Sequence, residues 1–342
     1  MRLRAPTGRE IPECDEKIHA MRTIAAFAAG ILLLFLTSPG RTQSYPTRPV
    51  TIVVPFTTGS GIDVLARTLG QKLNERWNNV GVVVDNRTGA SGNIGAEIVA
   101  KAAPDGHTLL MAAASFITNA AVFRPMPYDP VRTFTPIVLI ATGIQALVVN
   151  AGLPAQSIRE LVAYAKANPR KLFYGNPGSG TPQHLSMELF KRETGMDITN
   201  VPYKGFANAA TDVVGGHVDM MIMPVAAAVQ YVRGGKIRIL AVMGFERSPV
   251  FPSAPTFEQA GYPNVQTSSW YALLAPAGTP VAIVARLNAD LNALLADAAI
   301  REFLAKQGFS PAGGTPEALT NQFRTELERW LRIADEAKIT VD

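Results

Sequence analysis

Runs of β-branched residues, each closed by a glycine- or hydroxyl-rich loop and followed by apolar residues at helical spacing, repeat from Val50 to Val242 of this 342-residue chain. No other feature restricts the fold as much. Val50-Thr51-Ile52-Val53-Val54 is stopped by Pro55 and reads as a buried strand, because branched side chains pack well on a pleated surface. After the loop Phe56–Gly61, the residues Val64, Leu65, Leu69 and Leu73 share one face of a helix that runs to Trp77, with Asp63 placed to cap its first free amides. Further strands are expected at Val80–Val84, Thr108–Ala113, Ile137–Ala141, Ala146–Val149, Leu172–Tyr174, Ile198–Val201, Val218–Ile222 and Ile237–Val242. Helices are expected at Ile94–Ala103, Ser157–Ala167, His184–Glu193, Asn208–Val214 and Ala226–Arg233. This alternation implies βαβ units around mainly parallel sheets, an α/β fold. The end of the chain differs. After a strand at Ser269–Leu274, the segments Val281–Leu295, Ala298–Gln307 and Pro316–Lys338 are all helical, so they pack around a sheet laid down earlier. A discontinuous domain follows, and the length suits two domains of about 150 residues each.

Three of the loops share a chemistry. Thr57-Thr58-Gly59-Ser60-Gly61, Ala113-Ala114-Ser115 and Asn176–Thr181 each join a strand end to a helix start. Glycine lets backbone N–H groups approach a ligand, and a helix N-terminus adds unpaired donors with partial positive charge. Such a loop holds a carboxylate or phosphate without lysine or arginine, at the carboxyl ends of strands where open α/β sheets bind ligands. One loop alone would be no more than a tight turn; three in one chain imply a shared cleft. Enzyme signatures are missing: there is no G-x-S-x-G elbow and no H-E-x-x-H, and Thr181 stands where a phosphate-binding loop needs lysine. His107, His184 and His217 do not stand at metal-ligand spacing, so no metal or cofactor is expected.

The N-terminus points to export. Arg22 precedes the apolar stretch Ile24–Leu36, and small residues follow at Thr37–Gly40 and Thr42–Ser44, the pattern of a secretory signal peptide over residues 1–44. That stretch is shorter than the roughly 20 residues a membrane span needs. Residues 1–20 are polar and unlike a signal's basic head, so Met21 is the expected start. The single cysteine, Cys14, lies before the apolar core, which leaves the mature chain without a lipid-anchor cysteine or a disulfide. The full chain carries a net charge of +5; without the six basic and four acidic residues of 1–44 it is +3, with no basic stripe, so nucleic acid is not an expected partner.

A series of blocks resembles the Bug-type receptors, the solute-binding components of tripartite tricarboxylate transporters. Tyr45-Pro46-Thr47-Arg48-Pro49 with the first strand and Pro55-Phe56 looks like their mature opening. Val84-Asp85-Asn86-Arg87 with Gly89–Gly95, Pro104–Met111, Gly178–Leu185, Val201–Gly205, Leu274–Pro280 and Gly313–Pro316 follow in order, so the resemblance spans residues 45–342. It implies a two-lobed flytrap fold with the ligand cleft between lobes, here 45–143 with 269–342 and then 144–268. It also implies a monomeric periplasmic protein that captures a small organic acid and meets the membrane subunits of a transporter. On this chain it assigns Thr57, Thr58, Gly59, Ser60 and Asp63 to the first binding loop, with Asp63 as helix cap. Asn176, Gly178, Ser179, Gly180 and Thr181 form the second loop, Ser115 contributes from the first lobe, and His184 braces the second loop. Tyr203, Lys204 and Gly205 edge the second lobe, with Lys204 equally readable as a solvated surface charge.

Three departures from that pattern bear on the ligand. Hydroxyls occupy Thr57-Thr58-Gly59-Ser60 where prolines and paired glycines are usual, Phe206 replaces a small residue, and Met223 stands where aspartate is frequent. Without a cleft carboxylate an ammonium loses its partner, which disfavours amino acids. The expected ligand is therefore a non-amino carboxylate, with any apolar or aromatic body against Phe206, Met223 or Tyr271. A sensory ligand-binding subunit would use the same cleft chemistry, and a periplasmic enzyme acting on a carboxylate lacks a nucleophile, metal set or acid–base pair here.

Overall fold

Val50–Val54 forms β1, one strand in from the edge of a six-stranded sheet, in this computed structural model, which describes residues 45–337 apart from Arg124, Phe245, Gln266 and Ser268. The signal segment and the Met21 start lie outside the described residues. β1 pairs in parallel with β2 (Val82–Asn86) and β3 (Thr108–Ala113). β10 (Ser269–Pro276) lies antiparallel between β3 and β4 (Phe134–Gly143), and the short β11 (Phe309–Pro311) closes the edge beside β4. The second sheet has five strands in the order β7 (Thr199–Pro202), β6 (Phe173–Asn176), β8 (Met220–Pro224), β5 (Gln145–Asn150) and β9 (Ile237–Met243).

The two sheets repeat one plan. Reading β2-β1-β3-β10-β4 against β7-β6-β8-β5-β9, each lobe runs second, first, third, intruder, fourth. The intruders β10 and β5 are the strands that enter from the other lobe, and they run against their neighbours while the rest of each five-strand set points one way. Strand direction is thus mainly parallel, as the alternating pattern requires, and one reversed strand marks each crossing.

Helices cover both faces of both sheets. In the first lobe α1 (Gly61–Arg76) buries Leu65, Leu69 and Leu73 against β1, while α2 (Asn93–Ala100) buries Ala96 and Val99 on the opposite face. α3 (Ser115–Val122) is short and enclosed on nearly every side, with Thr118 and Asn119 fully buried. α4 (Ile158–Ala167), α5 (Pro182–Thr194), α6 (Phe206–Gly215) and α7 (Val225–Arg233) belong to the second lobe. α8 (Val281–Ala296) and α9 (Ala298–Lys306) then return to the first sheet.

The last helix, α10 (Pro316–Ala337), lines up Leu319, Phe323, Trp330 and Ala334 on its buried face. Phe323 stacks on Trp270, with ring centroids 5.0 Å apart, and the Trp270 indole N–H donates to Glu326 at 2.7 Å. Ile333 touches both lobes' cores and Arg192 of α5 meets Glu336 at 3.3 Å, so this helix straps the lobes together. Among the described residues no helix is long and apolar enough to cross a membrane.

Candidate binding cleft

The carboxyl ends of β1, β2, β3 and β6 meet at one place. The connection after β2 makes a turn at Ala90–Gly92 in which Gly92 takes φ +101°, and it lies against Pro55 and the Phe56 ring, which a side chain there would touch at 3.4–3.5 Å. Its neighbour Ser91 reaches across the lobes, Oγ donating to the Ser179 carbonyl at 2.7 Å. Behind this junction lies a cavity of about 10 Å³ touched by Pro55, Ser91, Ala113 and Ser115, room for about one water molecule. Two of the loops singled out by sequence, at Ser115 and at Asn176–Thr181, are therefore drawn together around a third that carried no predicted role, and Pro55 and Phe56 bring the approach to the first loop beside it.

The first loop is pinned from within its own lobe. Asp63 is only 2% exposed. Its Oδ2 accepts from the Gly59 amide at 2.8 Å and from Arg67 Nε at 3.0 Å, and Oδ1 accepts from Asn86 Nδ2 at 2.9 Å. Asn86 also donates to the Phe56 carbonyl and accepts from Thr58 Oγ1 and Arg67. Burial alone would raise the Asp63 pKa, but the Arg67, Gly59 and Asn86 bonds outweigh it and hold the carboxyl below its ordinary range. The cap expectation needs correction: Ser60 is the N-cap, without a side-chain cap bond, and Asp63 three residues on reaches back to the loop, like the acidic arm of a capping box. Ser60 Oγ turns back to the Thr57 carbonyl at 2.6 Å. Thr57, Thr58 and Gly59 stay exposed at the tip.

The second loop is buried at Asn176, Gly180 and Thr181 and half-buried between them, and most of its donors are taken. Asn176 is fully buried; its Oδ1 accepts from the Gly178 amide at 3.0 Å while its Nδ2 has no protein partner. The Gly180 amide donates to His184 Nδ1 at 3.3 Å, and the Gly178 carbonyl accepts from the Thr181 amide at 3.2 Å and from its hydroxyl at 2.7 Å. Thr181 is the N-cap of α5, accepting from the His184 amide at 3.4 Å. Pro177 has no N–H. Ser179 is thus the loop residue whose amide is left without a partner among the described residues, and its hydroxyl stands beside it. The picture of a loop full of free amides narrows to this one residue and the Asn176 Nδ2.

His184 is the brace expected of it. Burial lowers its pKa, with Lys191 adding to that and Glu188 opposing it, so the ring is neutral and Nδ1 accepts. Its Nε2 lies 3.4 Å from Asn200 Nδ2, while Asn200 Oδ1 is buried without a partner. Turning that amide over gives Nε2–H an acceptor in Oδ1.

The remaining predicted residues divide. Ser115 is buried at the first turn of α3 beside the junction cavity. Tyr203 is half-buried and its amide donates to the Asn176 carbonyl at 2.8 Å, tying it to the base of the second loop. Its hydroxyl donates to Asp212 at 2.5 Å, and burial together with that carboxylate pushes its pKa up to about 12. Phe206 is half-buried at the start of α6, and Lys204 is exposed. Met223 is a correction: β8 alternation points it into the second lobe's core with Ala146, Val148 and Ala210, at 0% exposure, so it forms no wall of an open cleft. Tyr271 packs edge-on against Phe309 over the first lobe's core.

A larger cavity of about 420 Å³ lies elsewhere, beside β9 and lined by Gln156, Arg238, Phe251 and Ser253. The Arg238 guanidinium is already bonded to the carbonyls of Ala151, Leu153 and Ala155. Among the described residues no cluster of three metal-ligating side chains occurs.

A sequence model of the TctC family, described as "Tripartite tricarboxylate transporter family receptor", matches residues 65–339. The chain belongs to the TctC family. Protein BugT of Bordetella pertussis is 34% identical over 321 residues, covering 93% of this TctC chain and 98% of BugT. A solved structure titled "R. palustris Rpa4515 with adipate" aligns with a TM-score of 0.81 at 41% identity, over 86% of this chain and 99% of that one. MatC from Rhodopseudomonas palustris with bound malate aligns with a TM-score of 0.78 at 32% identity, over 84% and 99% of the two chains.

The TctC resemblance read from the sequence, and the two-lobed α/β fold it implies, stand. Residues that sequence reasoning missed are Ser91, Thr118 and Asn119. For Ser91 a signal was present, since Gly89 and Gly92 bracket a turn at yet another strand end. For Thr118 and Asn119 there was none, because the sequence marks only the start of α3, at Ser115.

Proposed function

We propose that the chain is an extracytoplasmic receptor that captures a small non-amino dicarboxylate and presents it to the membrane subunits of a tripartite transporter. The single observation that carries this reading is the convergence of the β1, β2, β3 and β6 ends around Ser115 and the unpartnered Ser179 amide, donors suited to a carboxylate without a cation. Two relatives above 30% identity carry adipate and malate, dicarboxylates of different length, which supports the ligand class. The acidic groups near the loops are engaged, Asp63 with three donors and Asp212 with Tyr203, which leaves an ammonium no partner and supports a ligand without one. The chain acts as a monomer in the periplasm after its leader is removed, with lobes 45–143 plus 269–342 and 144–268 closing on the ligand. It binds without catalysis.

Isothermal titration against adipate, malate, aspartate, glutamate and benzoate tests the reading. Binding of a dicarboxylate at micromolar Kd with none of aspartate or glutamate is expected. Binding of the amino acids in preference to adipate and malate contradicts the ligand class, and binding of none of the five contradicts the carboxylate reading.

A further inference from the structure

Loop 176–181 belongs by chain to the second lobe, yet the first lobe shapes it. Thr118 Oγ1, fully buried on α3, donates to the Gly180 carbonyl at 2.6 Å. Ser91 Oγ donates to the adjacent Ser179 carbonyl at 2.7 Å. The far sides of the same two peptide planes are held within the second lobe, the Gly180 amide by His184 Nδ1 and the Thr181 amide by the Gly178 carbonyl. Two consecutive peptide units are therefore clamped on both edges, one edge by each lobe. Gly180 has φ +79°, and a Cβ there would come within 2.8 Å of Asn119, Val122 and Phe123, so the loop sits in a socket that α3 shapes for a bare backbone. Asn119 completes the wall, its Nδ2 donating to the Ser91 carbonyl at 3.0 Å and to Asn93 at 2.8 Å.

We propose that Ser91 and Thr118 are positioning residues of the ligand site: they touch no ligand, but from the first lobe they fix the second lobe's binding loop so that the Ser179 amide and hydroxyl face the cleft. The geometry gives each hydroxyl one short bond to the loop, and for Thr118 Oγ1 it is much shorter than the 3.4 Å to the Ala114 carbonyl of its own helix. Clamping the carbonyls of residues 179 and 180 leaves the 178–179 peptide as the unit whose N–H is unassigned, and its direction follows from its clamped neighbours. A loop set this way keeps its donor oriented before ligand arrives, and a bound carboxylate then links both lobes through one loop. This rests on the receptor reading above.

The test uses the whole protein as wild type, Thr118→Val, Thr118→Ser and Ser91→Ala. It combines hydrogen–deuterium exchange without ligand with adipate and malate titration. Valine keeps the shape of threonine and deletes the donor, leaving a buried carbonyl unpaired; amide exchange at Gly180 and Thr181 about tenfold faster and adipate binding about tenfold weaker, through faster release, are expected. Thr118→Ser restores the hydroxyl and stays within about twofold of wild type, and Ser91→Ala, at a less buried position, changes both readouts in the same direction as valine. Wild-type exchange and affinity in both Thr118→Val and Ser91→Ala overturn the proposal, and so does a Thr118→Ser variant as weak as valine, which would assign the effect to packing. Wild-type protein that binds neither adipate nor malate sinks the receptor reading instead, and faster loop exchange in Thr118→Val then still upholds the clamp.

Discussion

The loop after β1 and the loop after β6 occupy the same position in two lobes of one topology, but they are held in opposite ways. The first is fixed by a buried carboxylate of its own lobe, Asp63, and leaves its tip exposed. The second carries no charge of its own, has no exposed residue, and is held by hydroxyls of the other lobe. Charge fixes one half of the site locally, whereas the other half exists only where the lobes meet. A cleft built this way is rigid on one wall, and on the other its shape depends on contact between the lobes.

Two glycines with the same backbone angle give the sharpest break of that comparison. Gly59 and Gly180 both sit at φ +79°, but a Cβ at Gly59 meets nothing within 4 Å, while at Gly180 it meets three side chains at 2.8 Å. Gly180→Ala should therefore cost about 3 kcal/mol and abolish adipate binding, combining left-handed strain with overpacking. Gly59→Ala should cost only about 1 kcal/mol, the strain alone. Urea unfolding of both variants measures the difference, and equal losses would show that the socket exerts no packing constraint.

Asp63→Asn comes next in size. Losing the charge-assisted bonds to Arg67 and the Gly59 amide should lower stability by about 2 kcal/mol at neutral pH. Because the folded Asp63 pKa is depressed, its contribution is complete above the unfolded value near pH 4 and disappears as pH falls through the folded one. Wild type and Asp63→Asn should therefore converge in acid, and unfolding midpoints across pH 2–7 show whether they do.

The smallest effect belongs to His184. Its folded pKa lies below the ordinary value near 6.5, so its contribution is complete above that pH and is lost as pH falls through the folded value. Protonation takes away the acceptor of the Gly180 amide, in surroundings where Glu188 favours the cation and Lys191 disfavours it. Wild-type Tm should decline between pH 7 and pH 5 more steeply than that of His184→Asn, whose amide oxygen accepts without titrating. Parallel declines would remove His184 from the loop's pH response.

How much of this was legible in the sequence depends on whether a residue's role was local. β1, β3 and most helices are visible because their branching and periodicity are local properties of the chain. α3 showed only its start at Ser115, since Ser115–Val122 is buried on nearly every side and so carries no amphipathic rhythm. β11 was missed because three residues with a proline become a strand only by pairing with β4. In the site, the loops and the His184 brace were readable. The loss of most loop amides to internal bonds, the burial of Met223 and the part taken by Ser91 and Thr118 arise from contacts between distant segments, for which one sequence carries no period or spacing.

The most direct test is a crystal structure of the protein with adipate bound. The account predicts one carboxylate in the cleft, about 3 Å from the Ser179 amide, with Thr118 and Ser91 still on the Gly180 and Ser179 carbonyls. Adipate in the β9 cavity against Arg238, or in the cleft with Ser179 turned away, would contradict it.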